Sequence, residues 1–140
     1  MRKTREAAIF IHRAGRFLVF HRVSDGIWNV AAGQIEDGES FADGAARELL
    51  EETGLVAPLA ELGPPVRYEV EERFRHLYAS GEYSVTVQSF SAEAADGWHP
   101  SLNHEHDDYR WCSLDEALEL LHWPEVKDGV RALAASLGVS

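Results

Sequence analysis

Residues 33–55 read GQIEDGESFADGAARELLEETGL. Gly33 and Gly38 bound a polar loop, Ser40 offers an N-cap, and Gly54 stands where a helix C-terminus wants a left-handed residue, so a helix is predicted over 41–53. Projected at about 100° per residue from Glu48, Glu52 falls near +40° and Glu51 near −60°. Ala42, Ala45, Ala46, Leu49 and Leu50 fall on the opposite arc, from roughly +60° to +200°. The helix is thus expected to carry an apolar back and a face of three carboxylates, with Arg47 one turn before Glu51 and able to hold it.

Three carboxylates on one face repel, and a cation removes that cost. Glutamate-rich helix faces are usually only solvated, but an all-oxygen donor set flanked by glycines suits Mg²⁺ or Mn²⁺, where Zn²⁺ would want His or Cys. Magnesium held by few carboxylates keeps waters and takes substrate phosphates as further ligands. The overall charge sharpens the point. The 140 residues carry 24 acidic and 13 basic side chains, a net charge of −11. Such a chain lacks the basic footprint of a nucleic-acid polymer binder, and it repels a free phosphate unless a cation stands between them.

Outside this stretch, Ala7–Ile11 and Phe17–Phe20 read as strands joined by a turn at Arg13–Arg16, and Trp28–Ala31 as a short strand ending at Gly33. Two more strands are expected over 66–76 and 82–90, and a short one at Tyr109–Cys112. Ser113-x-x-Glu116 is a capping box opening a helix to about Leu121, and Pro124 starts a last helix towards Leu137. This order predicts a mixed α/β (α+β) fold, in one domain over 1–140. No apolar run approaches the ~20 residues of a membrane span, and none follows the basic N-terminus, so no signal peptide is expected. The single cysteine, Cys112, excludes an internal disulfide and fits a reducing cytoplasm; inside a strand it reads as a small apolar group.

At every defined position residues 33–55 match one pattern: Gly33, Glu39, Arg47, Glu48, Leu49, Glu51, Glu52, Gly54 and Leu55. Average residue usage puts a chance match on the order of 10⁻⁸. The stretch resembles the Nudix hydrolase signature, and the resemblance implies a mixed sheet between helices. It also implies hydrolysis of a nucleoside diphosphate linked to another group, with Mg²⁺ or Mn²⁺. Carried over by motif, Glu48 and Glu52 would be the main metal ligands. Glu51 would serve a second metal or support the first, Arg47 would orient the carboxylates, and Glu39 would brace loop and helix. The backbone carbonyl of Gly33 or Ala32 would face the metal.

The family often adds a glutamate from outside the signature; Glu105, in Asn103-His104-Glu105-His106, is the candidate base or ligand. His104 and His106, with no third ligand nearby in sequence, make weak evidence for a zinc pair. Arg22, Trp28, Ala32 and Tyr78 are the candidate substrate contacts, with Arg5 as a basic residue of the first strand. His76-x-Tyr78-Ala79-x-Gly81 and Glu105-His106 followed by Tyr109-x-Trp111 resemble the bacterial dATP and dihydroneopterin triphosphate pyrophosphohydrolases within the family. The expected activity is therefore release of pyrophosphate from a nucleoside or pterin triphosphate. Dinucleoside polyphosphates, nucleotide sugars and oxidised nucleotides are the alternative substrates, and a non-catalytic nucleotide sensor is the alternative class. The expected partner is this small molecule, with no nucleic-acid polymer and no membrane, and the protein is expected as a monomer or a homodimer.

Overall fold

A computed structural model describes residues 1–140. Strand β1 (Arg5–Arg13) and β2 (Arg16–Arg22) form the expected hairpin. Its turn puts Ala14 and Gly15 at φ 51° and 73°, the left-handed pair that matches the twist of two antiparallel strands. The apolar runs of both strands are buried on two sides, as expected of a strand covered on both faces. Ile9, Ile11, Leu18 and Phe20 pack in one cluster, and Phe10, Phe17 and Val19 in another.

Short strands β3 (Trp28–Asn29) and β4 (Ala31–Gln34) follow. The single strand expected over Trp28–Ala31 is therefore broken at Val30. β3 pairs with β2 and β4 with β1, so the chain changes partner there. Gly33, expected to open a loop, lies inside β4 opposite Ala7. Helix α1 spans Phe41–Thr53, with the Ser40 hydroxyl accepting from the Asp43 N–H and Gly54 at φ 78°, as its end signals require.

β5 (Ala60–Glu61) and β6 (Val66–Glu69) then run antiparallel to β7 (Ser84–Glu93). The strand expected over 66–76 stops at Glu69, and Glu72–Leu77 turn into a 3₁₀ helix. Every residue of Val66–Glu69 and of Glu71–Leu77 is exposed, so no buried face enforces an extended period across the segment.

Strand β8 (His106–Cys112), helix α2 (Leu114–Leu120) and helix α3 (Pro124–Leu137) complete the chain. The capping box at Ser113 and Glu116 forms. β1 pairs parallel with β7 and antiparallel with β2 and β4, giving an eight-stranded mixed sheet. Ala45 and Leu49 of α1 join the cluster on one face; Ala117, Val130 and Leu133 of α2 and α3 join the other. The sheet is thus sandwiched between helices, as the resemblance implies. No helix is long and apolar enough to cross a membrane.

Helix α1 is rotated from its expected setting. Leu50 is 53% exposed, and Ala42 and Ala46 also face outward, while Gly44, Ala45, Leu49, Glu52 and Thr53 are buried. The apolar back read from the sequence is therefore partly solvent-facing, and Glu52 lies at the centre of the buried arc. Small alanines bury little area wherever they point; what orients the helix is Leu49 and Leu55 against the sheet and the close approach at Gly44. A β-carbon at Gly44 would stand 2.5 Å from Ile35 Cδ1.

Candidate active site

The loop before α1 is tied down by two arginines. Arg47 donates from Nε and Nη2 to the two carboxylate oxygens of Glu39, each at 2.9 Å, and from Nη2 to the Gln34 carbonyl at 3.0 Å. Its Nη1 donates to Glu48 Oε1 at 2.9 Å and reaches Glu51 Oε2 at 3.5 Å. The fork geometry of guanidinium matches such paired acceptors. Glu39 also accepts the Glu36 N–H at 2.8 Å. The Arg47 hydrogen bonds, aided by that N–H, pull its carboxyl down to about 2.

Arg5 is the second clamp. It donates to the carbonyls of Glu39 (2.8 Å) and Glu36 (3.0 Å), and stacks 5.4 Å over the Phe41 ring. It braces the loop and is not among the residues lining the cleft, which places it away from the substrate contact expected of it.

A cleft of about 870 Å³ opens where the N-terminus, β3, β4, α1 and the loop before β8 converge. That is the upper end of the range for small-molecule sites. Its lining holds the carboxylates Glu6, Asp25, Glu36, Glu48, Glu52 and Glu105 and the cations Arg2, Lys3 and Arg22, with Arg2 paired to Glu6, Lys3 to Asp37 and Arg22 to Asp25. Gly33 lies against Glu48, and a β-carbon there would overlap the Glu48 carboxyl group. Burial pushes the Glu48 carboxyl above its ordinary range, against the pull of Arg47. Glu52 is 2% exposed with Oε2 lacking any hydrogen-bond partner. Burial, and then the Glu105 carboxylate beside it, push its carboxyl up to about 10.

One oxygen each of Glu52 and Glu105 and a ring nitrogen of His106 lie within 4.8 Å of one another. Buried carboxylates without partners are costly unless protonated or bound to a cation. The donor set, oxygens with one imidazole, fits a divalent metal.

The expected site residues divide. Glu48, Glu52, Glu105, Ala32, Gly33 and Arg22 line the cleft together. Arg47 stands behind it on Glu48. Glu51 is exposed and outside the lining. Trp28 is also outside it, half-buried among the α2–α3 packing, with the Arg110 guanidinium 4.9 Å over its ring and His21 at 5.1 Å. Tyr78 is buried outside the lining and touches it through Arg2, whose Nε donates to the Tyr78 hydroxyl at 3.2 Å. Arg22 is held by Asp25, with Nε to Oδ1 at 3.0 Å.

The sequence reading missed Arg2 and Lys3, and it weighed His106 only as a weak zinc pair with His104, which lies outside the cluster. The first two precede β1 in an unpatterned segment. His106 owes its position to a β-bulge between β2 and β8, where Arg22 pairs with His106 and Asp107 is left over. A bulge shifts alternation by one residue. It turns His106 from the face of Cys112 to that of Phe20, whose ring lies 5.1 Å away.

Comparison with known proteins decides the family. The family model described as NUDIX domain matches residues 2–133. The chain belongs to the Nudix family. Among curated relatives, CTP pyrophosphohydrolase of Escherichia coli is 31% identical over 125 residues, 85% of this chain and 82% of that protein. Phosphatase NudJ of Escherichia coli is 44% identical over 130 residues, 89% of this chain and 78% of that protein. The chain spans only 29% of a Myxococcus xanthus octanoyltransferase that it matches at 35% identity. Among solved structures, the Escherichia coli dihydroneopterin triphosphate pyrophosphohydrolase superposes with a TM-score of 0.84 at 22% identity, covering 96% of this chain and 97% of that one. The Nudix fold read from the sequence is thus present, and the protein is a Nudix hydrolase, an enzyme acting on nucleotide derivatives.

Proposed function

We propose that the protein hydrolyses a nucleoside triphosphate (dATP-like) or dihydroneopterin triphosphate to the monophosphate and pyrophosphate, with Mg²⁺ or Mn²⁺, in the cytoplasm. The observation that carries this reading is a single cleft lined by Glu48, Glu52 and Glu105 together with Arg2, Lys3 and Arg22. On a chain of net charge −11, a cleft that gathers Arg2, Lys3 and Arg22 with three glutamates fits a polyphosphate that brings or meets a cation.

In this reading Glu48, Glu52 and Glu105 hold the metal, with the Gly33 and Ala32 backbone beside them and Glu51 as an outer support. A divalent cation there supplies charge neutralisation for the phosphates and a more acidic water. Arg47 fixes Glu48 and the loop through Glu39, so the carboxylates are set before substrate arrives. Arg2, Lys3 and Arg22 bind phosphate oxygens. Glu105, the exposed carboxylate of the cluster, accepts a proton from the attacking water as the bond between the α- and β-phosphates breaks. Water supplies one oxygen to the new phosphate end, and pyrophosphate leaves.

The test is pyrophosphate release from dATP, CTP, dihydroneopterin triphosphate, a dinucleoside tetraphosphate, a nucleotide sugar and an oxidised nucleotide, with wild type and Glu52→Gln. Triphosphates should be cleaved fastest, and the variant should lose several kcal/mol of barrier lowering, about 10²-fold or more. Equal rates for the two proteins would remove Glu52 from the reaction. Preference for the tetraphosphate or the sugar would replace the substrate assignment.

A further inference from the structure

We propose that His106 is a nitrogen ligand of the metal centre, and that the centre therefore holds a first-row transition-metal ion such as Mn²⁺, or more strongly Co²⁺, more tightly than Mg²⁺. The inference rests on reading the cleft as a metal-bearing hydrolase site, and adds to it the identity of a donor and of the preferred metal.

Three independent features converge on His106. A ring nitrogen lies within 4.8 Å of one oxygen of Glu52 and one of Glu105, a spacing that a single ion can span. The residue is only 6% exposed, and its Nδ1 is buried with no hydrogen-bond partner, as is Glu52 Oε2. Two residues of one cluster that each carry a buried, unpartnered polar atom are uncommon in folded proteins and call for an occupant. The backbone, finally, is shaped to bring the ring there. The bulge at Asp107 moves His106 to the α1 side of the sheet, and the Val23 N–H donates to the Glu105 carbonyl at 2.9 Å, fixing the loop just before it.

A bound water could donate to both orphans but would leave the repulsion between the Glu52 and Glu105 carboxylates in place; a divalent cation offsets that repulsion and takes the imidazole as well. The donor types then set the preference. Mg²⁺ demands oxygen ligands and gains little from imidazole, whereas affinity for Mn²⁺ and Co²⁺ rises with a nitrogen donor. His104, exposed in the same cleft, lies outside this cluster.

The experiment is pulsed electron paramagnetic resonance of Mn²⁺ bound to the metal-free full chain, with affinities for Mn²⁺ and Mg²⁺ measured by calorimetry. Wild type should show the nitrogen coupling of a directly coordinated imidazole and bind Mn²⁺ more tightly than Mg²⁺. His104→Ala should keep the coupling. His106→Asn and His106→Ala should lose it, and their Mn²⁺ affinity should fall at least about tenfold with little change for Mg²⁺. Bound Mn²⁺ without imidazole coupling in wild type, or coupling lost only in His104→Ala, overturns the proposal and leaves the hydrolase reading intact. Failure of the wild type to bind either metal overturns both. Because the wild-type spectrum alone decides ligation, a His106 variant that fails to fold does not remove the test.

Discussion

Gly33 and Glu48 share one space: the strand glycine leaves the gap that the helix carboxylate fills, and any β-carbon at 33 would overlap it. Glu48 cannot simply swing away, because Arg47 holds its Oε1 at 2.9 Å. The glycine is thus required by a side chain 15 positions on in the sequence.

Gly33→Ala should therefore fold, with a cost of about 1–3 kcal/mol typical of overpacking, and should displace Glu48 from its place in the cleft. The expected outcome is at least a tenfold loss of both metal affinity and turnover. Thermal denaturation alongside metal titration checks it. An alanine variant with wild-type metal affinity would show that the Glu48 position does not matter.

Glu52→Gln should separate stability from activity. The wild-type carboxyl, raised to about 10, stays protonated in the metal-free fold at neutral pH, whereas the unfolded chain releases that proton near 4.5. The sign follows: stability is full below pH 4.5 and falls as pH rises towards 10, by at most about 1.4 kcal/mol per pH unit for this group. Glu48, also raised, pulls the same way. Glutamine is neutral throughout, so the variant should match or exceed the stability of metal-free wild type at pH 7–8 and lose most of the slope. Saturating Mg²⁺ or Mn²⁺ should stabilise wild type and flatten its slope. Urea denaturation across pH 5–9, with and without metal, reads each outcome.

Glu39 acts in the opposite direction. Held at about 2 by Arg47, it contributes stability that is present above pH 4.5 and is lost as pH falls towards 2. Glu39→Gln should lower stability at neutral pH and make the acid-side decline shallower. Arg47→Lys, which cannot span both Glu39 oxygens and the Gln34 carbonyl, should do the same and also reduce turnover, because Glu48 loses its brace. Acid titration of fluorescence compares the three proteins.

Tyr78 and Trp28 were both expected to touch substrate, and their positions lead to different outcomes. Tyr78→Phe removes the hydroxyl that accepts from Arg2, a bond of about 1 kcal/mol. KM should rise about three- to tenfold with kcat nearly unchanged. Trp28→Ala should leave KM unaltered and cost about 2 kcal/mol or more through lost packing, seen as a lower Tm. A Trp28 variant with raised KM and unchanged Tm would place its ring in the cleft after all.

The signature over 33–55 pointed to the family that the comparison then showed, and local chemistry determined the limits of α1, the hairpin turn and the α2 capping box. These features rest on contacts within a few residues, such as Ser40 with Asp43 and Ser113 with Glu116, which residue type and spacing specify directly. Helical periodicity also placed Glu48 and Glu52 side by side. It did not say which side of the helix meets the sheet. That was decided by Leu49, Leu55 and the tight Gly44–Ile35 approach, which bury Glu52 and leave Leu50 in water. The placement of His106 beside Glu52, 54 positions away in the chain, likewise came only from the bulge against β2. Strand pairing across such distances sets the parity of every side chain along β8, and alternation within one segment carries no record of it.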